Sequence, residues 1–160
     1  MLSLKDEAEV YRIGLVTGLL MKNDVISWAD KIIEMQENIE YEIIEISLLE
    51  RSSKADVALK LSEFKGMPDR HQVINTFLGL CSYYYNNKKL TADDMCTILY
   101  HLVSTKIDMA ICSDIEQKIH YLSDGYYLAS EGIYGDLESI CSDLKEFLDQ
   151  YTIYAKEFNF

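Results

Sequence analysis

Residues 137–158 read LESICSDLKEFLDQYTIYAKEF, and Ile140, Cys141, Leu144, Phe147, Leu148, Tyr151, Tyr154, Ala155 and Phe158 recur there three and four positions apart. A series of this kind lies along one side of an α-helix, so the segment predicts a continuous amphipathic helix of about six turns. Asp136, Glu138, Asp143, Glu146 and Asp149 fall mostly off the stripe. The helix is therefore expected to dock by its apolar side and to turn carboxylates toward solvent or a partner.

The same periodicity runs back through the chain. Val25, Trp28, Ala29, Ile32 and Ile33 mark a helix that Asn23 or Asp24 can cap, with Trp28 pointing inward. Leu4 to Leu20 reads as a helix through Val10, Ile13, Leu19 and Leu20; Gly14 and Gly18, four apart, suggest close approach of a neighbouring helix. Tyr41 to Glu50 suits a short helix or a buried strand about equally, and is assigned as helix. Ser52 or Ser53 starts a helix through Val57, Leu61 and Phe64, and Pro68 stands at the start of the next, which carries Val73, Phe77, Cys81 and Tyr84; these two read as an antiparallel pair. Thr91 with Asp94 forms a capping-box pattern before Met95, Leu99 and Leu102. Asp114 is placed as the cap of a helix through Ile115, Ile119 and Leu122, and the glycine- and tyrosine-rich stretch 125–135 as the turn before the last helix. One proline and seven glycines leave little turn chemistry for many short strands. The expectation is a single all-α domain over residues 1–160, an irregular array or bundle of about seven or eight helices with a solenoid as the other arrangement open to it.

At 160 residues, 49% hydrophobic and 26% charged, the chain can bury a core without a metal or a disulfide. Cys81, Cys96, Cys112 and Cys141 make no C-x-x-C pair and read as reduced thiols. The charged N-terminus does not resemble a signal peptide, and no apolar run reaches the length of a membrane span, so a soluble, cytoplasmic protein is expected.

Charge is segregated along the sequence. Of a net charge of −12, residues 32–50 hold six acids and no base, residues 51–89 hold seven bases and three acids, and residues 107–160 hold eleven acids and three bases. Such a field repels phosphates, so no nucleic-acid partner is expected; it suits attraction of a basic protein, with a solvated, solubilising surface as the plainer reading of the same carboxylates. The candidate partner-binding residues are Glu37, Glu40, Glu42 and Glu45 in the first acidic stretch, with Asp143, Glu146 and Asp149 on the last helix. If the fold brings both groups to one side, their potentials add.

No reaction is written in the sequence. His71, His101 and His120 form no H-E-x-x-H and no pair at helical spacing, and Glu116 with His120 reads as a helix-surface ion pair. There is no nucleophile elbow, P-loop or dinucleotide fingerprint, so no catalytic residue, metal ligand or cofactor is assigned. Tyr83-Tyr84-Tyr85 ahead of Lys88-Lys89 mixes aromatics with positive charge, but two lysines are too few to track a nucleic-acid backbone. A helix end with at least one exposed tyrosine is the expected outcome.

Val10-Tyr-Arg-Ile-Gly-Leu, Val25-Ile-Ser-Trp-Ala-Asp-Lys-Ile-Ile and Tyr41-Glu-Ile-Ile-Glu-Ile-Ser-Leu resemble a pattern of small, acidic, helical bacterial proteins, a type that includes immunity proteins neutralising bacterial toxins. The resemblance implies a non-enzymatic, immunity- or antitoxin-like binding module that covers a basic partner such as a toxin nuclease. A helical scaffold without a toxin partner is the alternative, and a hydrolase built on His101, His120 and scattered carboxylates is the third reading.

Overall fold

Ser3 opens the first helix: its hydroxyl accepts from the Asp6 N–H at 3.1 Å while the Asp6 carboxylate accepts from the Ser3 N–H at 3.3 Å. This reciprocal cap satisfies two backbone donors that a helix start would otherwise leave open. A computed structural model describes residues 2–104 and 107–158. Among them lie α1 (Leu4–Thr17), α2 (Lys22–Met35), α3 (Tyr41–Ser47), α4 (Lys54–Ser62), α5 (Arg70–Asn86), α6 (Ala92–Ser104), α7 (Ser113–Ser130), α8 (Leu137–Asp149) and a C-terminal 3-10 helix (Thr152–Glu157), with no strand among the described residues.

α1 is the hub. Ala8, Val10, Ile13 and Leu15 are wholly buried, and the helix packs on α4, α5 and α6. Its charged residues tie these neighbours together. Lys5 donates to the Ser62 carbonyl at the end of α4, and the Asp6 carboxylate accepts from the N–H of Asp69, the cap of α5. Glu9, almost fully buried, is held between Lys5 at 3.3 Å and Arg12 at 2.7 Å, and Arg12 also donates to the Ile107 carbonyl. A buried carboxylate of this kind is tolerable only because it is paired on both sides. All eight helices contribute to one hydrophobic cluster, and contacts reach well beyond sequence neighbours, α1 packing on α4, α5 and α6 and α5 on α1, α8 and the 3-10 helix, so the arrangement is a bundle and not a solenoid.

Several local expectations need correction. The antiparallel partner of α5 is not α4; α4 packs on α1 and α3, because α1 lies between the two and takes the apolar side of each. Gly14 and Gly18 do not admit a neighbouring helix. Gly18 takes φ +90° as the left-handed cap that ends α1, and the chain folds back so that Leu20 covers Gly14, where an added Cβ would stand 2.5 Å from Leu20 Cδ1. α2 starts at Lys22, with Met21 and not Asn23 or Asp24 at the cap position; Asp24 acts from inside the first turn, its carboxylate accepting from the Met21 N–H at 2.6 Å. Cys112, not Asp114, occupies the cap position of α7.

The last helix is shorter than its stripe. α8 stops at Asp149, and the chain then winds more tightly, with i to i+3 bonds from Tyr151 N–H to the Leu148 carbonyl and from Tyr154 N–H to the Tyr151 carbonyl. The tighter turn lays backbone directly on α5: a Cβ at Gly79 would stand 2.7 Å from the Tyr151 oxygen and 2.9 Å from the Ala155 nitrogen. Gly125 is likewise inside α7 and not in the turn, where it gives Ile140 of α8 room to approach. The turn itself is residues 131–136, with Gly132 and Gly135 at φ +68° and +83°.

Candidate functional site

Three features of the sequence converge on the α7–α8 hairpin. Ile115, Ile119, Leu122 and Tyr126 face the core along α7, which leaves Tyr121 and Asp124 on the opposite, solvent side. The turn is locked by N–H donors of Ile133 and Tyr134 to the Leu128 carbonyl, and this geometry pushes Ile133 and Tyr134 outward. Asp136 then caps α8, accepting from the Ser139 N–H and hydroxyl, which hold its carboxyl below the usual range. Along α8, Ile140, Leu144, Phe147 and Leu148 are buried, so Asp143, Glu146 and Asp149 lie on the outward arc.

The resulting face mixes aromatic rings with acids. Tyr121 donates to Asp143 at 3.2 Å, which raises the phenol above its ordinary value, and Tyr134 lies close enough to add to that rise. Tyr134 is 77% exposed and Tyr121 53%. Lys118 sits over the Tyr121 ring, its Nζ 4.8 Å from the centroid. At the far edge, Asp149 accepts from Lys145 at 2.7 Å and from Asn86 of α5 at 2.9 Å, and these two hold its carboxyl below the usual range. Glu146 stands between the two tied carboxylates, fully on the surface and without a basic partner among the described residues.

The seven expected contact residues do not form one surface. Glu37 and Glu40 are exposed in the link between α2 and α3, Glu42 is half-buried, and Glu45 is paired with Lys60 of α4 at 2.7 Å. The base was invisible locally because it arrives from a different helix. α3 packs on α2 and α4, whereas α8 packs on α5 and α7, and α4, α1 and α5 stand between them in the packing order. The two acidic groups are thus separate patches. Tyr121 was missed as a contact residue, although its place off the Ile115, Ile119, Leu122 stripe is a readable signal of an aromatic ring facing water.

The remaining candidates have local roles. His101 Nδ1 lies 3.2 Å from the Thr17 carbonyl, joining α6 to α1, and His120 lies 3.9 Å from Glu116 on the surface of α7. No group of three or more His, Cys, Asp or Glu side chains among the described residues converges on a point that could hold a metal. Tyr84 and Tyr85 are half-buried and Tyr83 is exposed, with Lys89 over the rings of Tyr83 and Tyr84. All four cysteines are free thiols; Cys81 and Cys96 are buried and Cys112 is exposed. Among the described residues no helix is long and apolar enough to cross a membrane.

Comparison with protein families, with curated proteins and with solved structures finds no match to this chain. The functional reading therefore rests on the geometry of its own surface.

Proposed function

We propose that the chain is a non-enzymatic protein-binding module, of the immunity or antitoxin type, whose α7–α8 face covers a basic protein such as a toxin nuclease. The observation that carries this reading is the pairing of the exposed Tyr121 with Asp143, with the exposed Tyr134 nearby, on the α7–α8 hairpin. Tyrosine gives a large contact area with few torsions to freeze and anchors many interfaces, while surrounding carboxylates steer a basic partner in and set its orientation. A merely solubilising surface has no need of Tyr121 and Tyr134 held in the open. A helical scaffold with no toxin partner would use the same face and differ only in the identity of what it holds.

The test begins with a photoreactive amino acid at position 134, which should crosslink one predominant, basic protein in cells of the source organism. With that protein purified, Asp143→Lys/Glu146→Lys should slow association by about tenfold or more. Tyr134→Ala should chiefly speed dissociation. Equal crosslinking from a position on α4 such as Ser62, or unchanged rates in both variants, refutes the assignment of the face.

A further inference from the structure

The shortest α-helix among the described residues, α3, has two apolar sides. Ile43 and Ile46 of α3 are wholly buried, yet Tyr41, Ile44 and Leu48, at spacings of three and four along the opposite side, are 69%, 40% and 77% exposed. A seven-residue helix cannot stand by itself in water, and α3 persists because Ile43 and Ile46 anchor it on α2 and α4. A helix apolar on both sides belongs between two layers of protein, and here only one layer is present. Apolar strips rimmed by charge mark interaction sites more often than they mark bare surface.

The rim identifies the occupant. Residues 32–50 carry Glu34, Glu37, Glu40, Glu42, Glu45 and Glu50 without a base; among the described residues only Glu45 of these has a basic partner, Lys60 of α4, which it shares with Glu63. Nucleic acid and anionic lipid are repelled by such a rim, as is the same strip of a second copy. A helix with its own apolar stripe flanked by Lys or Arg satisfies both the strip and the rim, in the mode by which amphipathic helices dock on apolar surfaces.

We propose that the outward strip of α3 and its C-terminal cap, made by Tyr41, Ile44 and Leu48 and preceded in the chain by the exposed Glu37 and Glu40, docks a basic amphipathic helix of a partner protein. This site lies on other residues than the α7–α8 face and does not depend on its assignment. It makes the module two-sided.

The probe is a synthetic peptide of leucine and lysine with the leucines on one helical face, compared with a peptide of the same composition in scrambled order. Titration followed by backbone amide NMR should move the signals of residues 41–48 with the amphipathic peptide, and the scrambled one should bind about tenfold more weakly. Ile44→Glu/Leu48→Glu, and the milder Leu48→Ser, should weaken binding, the double variant by about tenfold or more, while Asp143→Lys/Glu146→Lys leaves the shifts at α3 in place. Equal binding of the scrambled peptide overturns the proposal, as do shifts centred on α7 and α8 or unchanged affinity in both α3 variants. Dimerisation of the protein that the double variant abolishes also overturns it, since the strip would then serve self-association.

Discussion

A hydrogen in place of a side chain at Gly79 is what lets the C-terminal 3-10 helix lie on α5. A methyl there meets carbonyl and amide atoms of the backbone at Tyr151 and Ala155, which cannot move aside as a side-chain end can. Gly79→Ala should therefore cost about 2 kcal/mol or more in urea unfolding. Gly125→Ala, which meets only the flexible tip of Ile140, should cost clearly less. Glu7 shows the opposite situation, a polar group kept at some expense. Burial raises its carboxyl above the ordinary 4.5, offset in part by the Trp28 indole, which donates to it at 2.9 Å. The folded chain thus holds this proton more tightly than the unfolded one, and the associated stability is complete below the unfolded value and lost as pH rises through the raised one. Glu7→Gln keeps an acceptor for Trp28 and removes the charge, so its melting temperature should exceed that of the wild type at pH 7 and converge with it below about pH 4. An equal offset at both pH values contradicts this account. None of this was visible in the sequence, because Gly79 and Glu7 are defined by atoms brought from residues 151–155 and from Trp28.

At the scale of elements, the boundaries that could be read were those written in local chemistry. Thr91 and Asp94 make the reciprocal cap their spacing predicts, with bonds of 3.1 and 3.2 Å, and Thr91→Ala should cost about 1 kcal/mol. Asp114 lies beyond the cap of α7, so Asp114→Ala should cost clearly less in the same assay. Apolar periodicity located every helix, including the ambiguous one at residues 41–47, since each had a side to bury. It did not show where α8 ends, because the stripe continues through Tyr151 and Phe158 while the winding changes to fit α5. The thiols follow from the same packing. Burial, then the neighbouring Cys141 and Asp93, push the Cys96 thiol up to about 12, and burial raises Cys81 further, whereas Cys112 stands exposed at the start of α7. Timed alkylation of the native protein read by mass spectrometry should label Cys112 first, with Cys81 and Cys96 reacting only after unfolding.

For the whole molecule, charge segregation along the sequence became two separate patches in space, and that step required the fold. The acids at 34–50 and those on α8 are divided by α4, α1 and α5, and Lys60 reaches back to neutralise Glu45. Replacing Glu45 with lysine would set it against Lys60, so charge reversal is informative on α8 and confounded on α3. Composition gave the sign of the field; only the tertiary structure put Tyr121 beside Asp143, with Tyr134 near Tyr121. The central claim is that this tyrosine and carboxylate face receives a basic protein, and it is tested most directly by stopped-flow association with the partner crosslinked at position 134, measured across a range of salt. Exposed charges at Debye lengths of about 8 Å predict a rate that falls steeply with ionic strength for the wild type and a flatter, about tenfold slower dependence for Asp143→Lys/Glu146→Lys at low salt. Superimposable salt dependences for the two proteins would contradict it.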